Sequence, residues 1–170
     1  MRPVATLMIS AALLMPCALV AQTHDDHSHA AMQEDSAFRA MQARGQAVMG
    51  VDQYTSVHRF DALRDGGRIV LQRDRDDSAG AVVIRAHLRS VARAFSAGDF
   101  SSPRAVHVDT VPGTAVMRAR RAAIRYEVSD VPRGALLRIR SRDARAVEAI
   151  HRFLDYQRSE HHTAPAAHEH

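Results

Sequence analysis

The feature that most constrains the fold of this 170-residue chain is a change of hydrophobic period that occurs twice. In the first instance, residues 54–62 and 68–73 alternate apolar and polar side chains around an Asp-Gly-Gly turn at 65–67, which is typical of a β-hairpin. The next segment, 78–98, repeats its apolar residues at steps of three and four, which predicts a helix that ends at Gly98. The first unit is therefore predicted to be strand, strand, helix.

The same order recurs downstream. Residues 123–129 alternate, a turn follows at 132–134, and residues 135–141 alternate again. Asp143 is a suitable N-cap for a final helix. The predicted inner stripe of that helix consists of Val147, Ile150, His151 and Leu154.

This recurrence is interpreted as a diverged internal duplication. Val57–Phe60 aligns with Ala123–Tyr126, which pairs His58 with Ile124 and places His87 close to His151 on the equivalent helix. With a loosely amphipathic helix at 33–49, the sequence predicts an α+β fold: an N-terminal helix followed by two ββα repeats that form a four-stranded antiparallel sheet with helices packed on one face.

The ends of the chain differ in composition from its body. Residues 1–21 combine a positive start, a short apolar stretch and small residues before the expected cut, which predicts a secretory signal peptide. The prediction continues with a His-rich disordered tail at 22–32, a single domain at 33–158 and a second His-rich disordered tail at 159–170. Within the domain, residues 100–114 are interpreted as a long ordered loop.

Composition narrows the functional classes. No apolar run after the signal is long enough to span a membrane, so a periplasmic or secreted soluble protein is expected. All 23 basic residues are arginine, and they are interleaved with 19 acidic residues, which argues against a nucleic-acid surface. Cys17, the one cysteine, lies inside the signal, so the mature chain is expected to fold without a disulfide.

Seven of the eleven histidines lie in the two predicted tails, which suggests metal binding. They are His24, His27, His29, His161, His162, His168 and His170. Cleavage after Ala21 would leave Gln22-Thr23-His24 as the new terminus. Its amine, two backbone amides and imidazole could form a square-planar site for Cu(II) or Ni(II), although cyclisation of Gln22 would destroy the amine.

The body histidines form a separate question. His58 is expected to face the core because it alternates with Phe60, and His87 and His151 lie on the apolar stripes of the two predicted helices. These three could converge as a Cu or Zn(II) site, or each could be an ordinary hydrogen-bonded packing residue. His107, in the central loop, is a weaker candidate.

The body resembles a family of small, uncharacterised exported bacterial proteins. The shared segments are 50–53, 58–60, 65–67, 84–88, 98–100, 111–114 and 149–154. Relatives often carry a second histidine where this chain has Arg59 and another where it has Ser90. The histidines that the resemblance retains are His58, His87, His107 and His151.

Three classes of function remain open from the sequence. The first is a periplasmic protein that binds or buffers Cu, Ni or Zn, and the second is a non-catalytic module that binds another protein of the cell envelope. The third is an enzyme of unspecified type. Members of the family are sometimes labelled aspartate carbamoyltransferase, but the chain lacks the carbamoyl-phosphate-binding segment of such enzymes. It also lacks a G-x-S-x-G elbow, a P-loop and a glycine-rich dinucleotide motif.

Overall fold

The structure of the protein is a computed structural model that describes residues 24–50 and 53–163. The predicted signal peptide at 1–21 and the last residues of the predicted C-terminal tail, 164–170, lie outside the described residues. The first turns of the N-terminal helix, through Asp35, are described as backbone only.

The described part of the chain is α+β, as predicted. The helices are α1 (His24–Met49), α2 (Ser78–Ala97), α3 (Ser101–His107), α4 (Thr114–Ala119) and α5 (Ala144–Glu160). The strands are β1 (Ser56–Leu63), β2 (Gly66–Arg73), β3 (Ile124–Val131) and β4 (Gly134–Ser141). They form one antiparallel sheet in the order β1-β2-β4-β3, with the helices packed against it. No helix among the described residues is long and apolar enough to cross a membrane.

Three boundaries differ from the sequence prediction. Helix α1 begins at His24 rather than at Gln33, and α5 continues through Glu160 into the segment predicted as a tail. The central segment predicted as a loop contains the short helices α3 and α4. Helix α3 forms despite Pro103 because that residue lies in the first turn, where a missing N–H breaks no intrahelical hydrogen bond.

The two hairpins pair in a register that has internal twofold symmetry. Each hairpin has a two-residue turn, so Gly66 at the start of β2 corresponds to Gly134 at the start of β4. Under this correspondence Ile69 matches Leu137, and these two residues lie directly opposite each other across the β2–β4 pair. A twofold axis through that point exchanges the two hairpins, which is the arrangement that two copies of one unit would adopt.

The two long helices cross over to the opposite hairpin. Helix α2 packs mainly on β3 and β4, whereas α5 packs mainly on β1 and β2. Both helices begin at an aspartate N-cap whose side chain accepts a backbone hydrogen bond, Asp77 in α2 and Asp143 in α5. The crossing places residues from both units over the β1–β2 half of the sheet.

These N-caps correct the alignment made from sequence. Counted from its cap, His151 corresponds to Arg85, and the two side chains make equivalent contacts. His151 Nε2 lies 2.9 Å from the carbonyl oxygen of Leu63 at the end of β1, and Arg85 donates to the carbonyl oxygen of Val131 at the end of β3 (3.2 Å). His151 is therefore a hydrogen-bonded packing residue that satisfies an edge-strand carbonyl.

The face of the sheet opposite the long helices is charged. Arg68 on β2 is bonded to Asp61 on β1 (2.6 Å), and Arg138 on β4 is bonded to Asp65 in the first turn. These ion pairs lie on the face that the two long helices leave open.

Candidate functional site: a buried histidine cavity

A cavity of about 70 Å³ lies between the β1–β2 half of the sheet and the crossing helices α2 and α5. Helix α3 and the end of α1 close it from the side. Four histidines contribute to its wall: His58, His87, His107 and His161. Most of the remaining wall is apolar, and includes Phe60, Leu71, Leu88, Val91, Phe95, Val106 and Phe153.

His58 and His161 form the buried centre of this group. His58 lies on the inward side of β1 and is 4% exposed, and its Nε2 is 3.0 Å from the hydroxyl of Ser56. His161 directly follows α5, where its backbone N–H donates to the carbonyl of Gln157, and it is 6% exposed. The centroids of the two imidazole rings are 5.5 Å apart.

His107 and His87 complete the wall. His107 ends α3, its ring centroid is 5.4 Å from that of His161, and its Nε2 is 3.2 Å from Oε1 of Gln157. Two buried nitrogens at this position have no hydrogen-bond partner among the described residues: Nδ1 of His107 and Nε2 of Gln157. His87 projects from α2 on the other side of the cavity. Unpaired buried donors or acceptors are unfavourable, so this site is suited to hold a polar guest.

Burial keeps these imidazoles neutral. It lowers the pKa of His58 to about 4, with a smaller contribution from His87. It also lowers the pKa of His161 to about 3, with further lowering by His58, His107 and His162. The pKa values of His87 and His107 are lowered mainly by burial as well, although Gln157 and Glu160 partly oppose the shift at His107. At neutral pH each ring therefore keeps one unprotonated nitrogen, whose lone pair a metal ion requires.

The internal twofold shows what else these positions can hold. By strand register His58 corresponds to Tyr126, not to Ile124 as the sequence alignment predicted. By distance from the helix N-cap His161 corresponds to Phe95. The ring centroids of Phe95 and Tyr126 are 5.9 Å apart, close to the separation of the two histidines.

His87 also has an aromatic counterpart. Counted from the N-cap of each helix, its position in α2 corresponds to that of Phe153 in α5. Phe153 lies 5.7 Å from Phe95, so the counterparts of the three histidines form an aromatic cluster that adjoins the same cavity, whose wall includes Phe95 and Phe153. The fold can therefore fill these positions with aromatic side chains, and packing alone does not account for three imidazoles.

The structure brings together only part of the histidine set proposed from sequence. His58 and His87 share the cavity, whereas His151 does not contribute to its wall. His161, assigned to the tail, is inside the cavity, and His162 is exposed and stacks on Phe38 with a centroid distance of 4.5 Å.

The N-terminal histidines are less informative. The backbone of His24, His27 and His29 lies in α1, and their side chains are outside the described residues. Gln22 and Thr23 of the proposed new terminus lie outside the described residues.

One sequence signal could have located His161. The buried stripe of α5 continues from Ile150 and Leu154 to Gln157, and the next position on it is His161. The prediction that a tail begins at Ser159 was wrong, because the buried stripe extends by one more helical turn to His161. His107 carried no comparable signal, because its segment was predicted as a loop.

The imidazole rings of His58, His161 and His107 are neighbours, with successive centroids 5.5 and 5.4 Å apart. Among the described residues, no three His, Cys, Asp or Glu side chains are arranged as a ready metal site. Coordination by this group would need rotation of the rings about their side-chain torsions. No protein-family model, no curated protein and no solved structure matches the chain.

Proposed function

We propose that this chain is an exported, periplasmic protein that binds one transition-metal ion, Cu(II), Ni(II) or Zn(II), with the histidines of the cavity. The observation that carries the proposal is the row His58, His161 and His107, whose neighbouring ring centroids are 5.5 and 5.4 Å apart. Neutral imidazoles are favourable ligands for all three metals.

The surroundings of the row also support binding. Ser56 contacts Nε2 of His58, as outer-shell partners of metal-binding histidines do. Gln157 holds Nε2 of His107, which would bind the ion after the ring turns away from that amide. The unpaired nitrogen of Gln157 could contact a water or hydroxide that completes the coordination. His87 is the fourth candidate ligand, and the histidines of the two tails would supply additional, weaker sites.

The residues at the counterpart positions in the other ββα unit supply the substitutions that test metal binding by the cavity. We expect tag-free mature protein to bind one equivalent of Cu(II), Ni(II) or Zn(II) tightly in a calorimetric titration. His161→Phe and His58→Tyr introduce the residues of the counterpart positions Phe95 and Tyr126. Loss of an outer-shell partner costs about 10- to 100-fold in metal affinity, and loss of a ligand should weaken the tight site by at least as much. His151→Arg, which copies Arg85 in the same way, should leave it unchanged.

Deletion of the tails separates the two proposed kinds of site. Removal of residues 22–32 and 164–170 should reduce the number of weak equivalents and leave the tight one, because His161 is retained. If His161→Phe and His58→Tyr fold normally and titrate like the wild type, the cavity is not the metal site. Loss of the tight equivalent on deletion of the tails alone would also contradict the proposal.

A further inference from the structure

A second pocket of about 290 Å³ adjoins the histidine cavity on the side of α1 and the end of α5. Its wall includes Phe38, Met41, Arg44, His107, Glu160 and His162. His107 contributes to both walls, so it lies between this outer pocket and the inner cavity. The outer pocket is also the one that the exposed His162 lines.

His107 presents one ring nitrogen to each space. Its Nε2 is 3.2 Å from Gln157, a residue of the inner cavity. Its Nδ1 is 3.9 Å from the Oε2 atom of Glu160, a residue of the outer pocket. The His107 side chain is 1% exposed, and its Nδ1 has no hydrogen-bond partner among the described residues. A buried, unpaired nitrogen therefore faces the carboxylate of the outer pocket.

We infer that the outer pocket is a capture site for the incoming metal cation, which then passes to the inner cavity through His107; this inference rests on the proposed function. The Glu160 carboxylate and Nδ1 of His107 supply the first pair of ligands. His162 supplies a third when its ring leaves Phe38. Transfer is an exchange of neutral and anionic ligands around the same ion. The oxidation state of the metal does not change, and no covalent bond of the protein forms or breaks.

The charges of the outer pocket suit capture rather than storage. Glu160 is partly exposed and attracts a cation from solution. Arg44 lies in the same pocket, where its Nε donates to the carbonyl of Val106 (2.7 Å), and its positive charge opposes prolonged residence of a second cation. The inner cavity offers more imidazoles, and the ion is expected to move to it.

Stopped-flow loading of the full mature chain with Zn(II), released from a chromogenic chelator, tests this path. Glu160→Gln and His162→Ala should each load about tenfold more slowly than the wild type because steering and the first ligands are lost. Their affinity for the tight equivalent at equilibrium should be unchanged. The wild-type rate should also fall with added salt more steeply than that of Glu160→Gln.

Glu148→Gln is the matched control, since it removes one carboxylate from the same helix at a site paired with Arg152, away from both spaces. It should load at the wild-type rate. Wild-type loading rates in both Glu160→Gln and His162→Ala would overturn the capture site while leaving the metal site intact. Loss of equilibrium binding in Glu160→Gln would also overturn it, because Glu160 would then be a ligand of the stored ion. Failure of the wild type to bind Zn(II), Cu(II) or Ni(II) at all would refute the proposed function itself.

Discussion

Lowering the pH from 7 to 5 is expected to reduce the free energy of unfolding of the metal-free protein by about 4 kcal/mol. The effect comes mainly from His58 and His161, whose pKa values fall to about 4 and about 3 in the folded state. In the unfolded chain both imidazoles have the ordinary pKa of about 6.5 and take up protons over this range.

The sign follows from the number of bound protons. Between the unfolded pKa and the folded pKa values, the unfolded chain binds more protons than the folded protein, so acid favours unfolding. The stability is fully present above the unfolded pKa and is lost as the pH falls toward about 4 for His58 and about 3 for His161. Each histidine contributes a slope of about 1.4 kcal/mol per pH unit in this window.

Urea unfolding followed by circular dichroism at several pH values measures the effect. His161→Phe should remove about half of the loss, since phenylalanine does not titrate and is the residue that the other half of the fold holds at this position. The half-buried aspartates with lowered pKa values, such as Asp77 and Asp143, act below pH 5 and do not obscure the result. Equal pH dependence in the wild type and His161→Phe would show that burial of this imidazole has no thermodynamic consequence.

Gly113→Ala is expected to destabilise the protein by about 3 kcal/mol or more, the sum of a left-handed backbone penalty and steric overlap. Gly113 precedes α4 with φ of +82°, which disfavours any residue with a Cβ atom. A Cβ there would also lie 2.1 Å from the carbonyl oxygen of Ala149 in α5. That oxygen belongs to a helix backbone, so it can move only if α5 moves.

Gly98→Ala is the matched control. Gly98 has nearly the same φ, +81°, but its nearest atoms are 3.2 Å away on the flexible side chains of Arg118 and Arg121. This substitution should therefore cost only the backbone penalty of about 1 kcal/mol. Thermal or urea unfolding of the two variants gives the comparison, and equal destabilisation would mean that the contact between the α4 start and α5 is not tight.

Local patterns were sufficient to predict the two hairpins and the long helices α2 and α5 of this fold. Alternation predicted both hairpins, and the N-cap residue Asp143 marked the start of its helix. Gly98 ends α2 in a left-handed conformation, as expected for a residue without a Cβ atom. These features depend on neighbours within a few residues, and their physical cause is local backbone geometry and hydrogen bonding.

The membership of the candidate site depended on contacts that no local pattern contains. Whether His58 meets His151 or His161 is decided by the pairing of β2 with β4 and by the passage of α5 across the β1–β2 hairpin. An apolar helix stripe is broad enough that His151, at its margin, reaches the end of β1 instead of the cavity.

The sequence by itself determined an α+β body built from two ββα units, each with its own caps and turns. Only the tertiary structure decided that four histidines enclose one cavity and that an aromatic cluster adjoins it. The histidines are His58, His87, His107 and His161, and the aromatic residues are Phe95, Tyr126 and Phe153. The physical reason is the range of the interactions. Secondary structure is specified by periodicity along the chain, whereas the histidine cavity arises from packing between segments far apart in sequence.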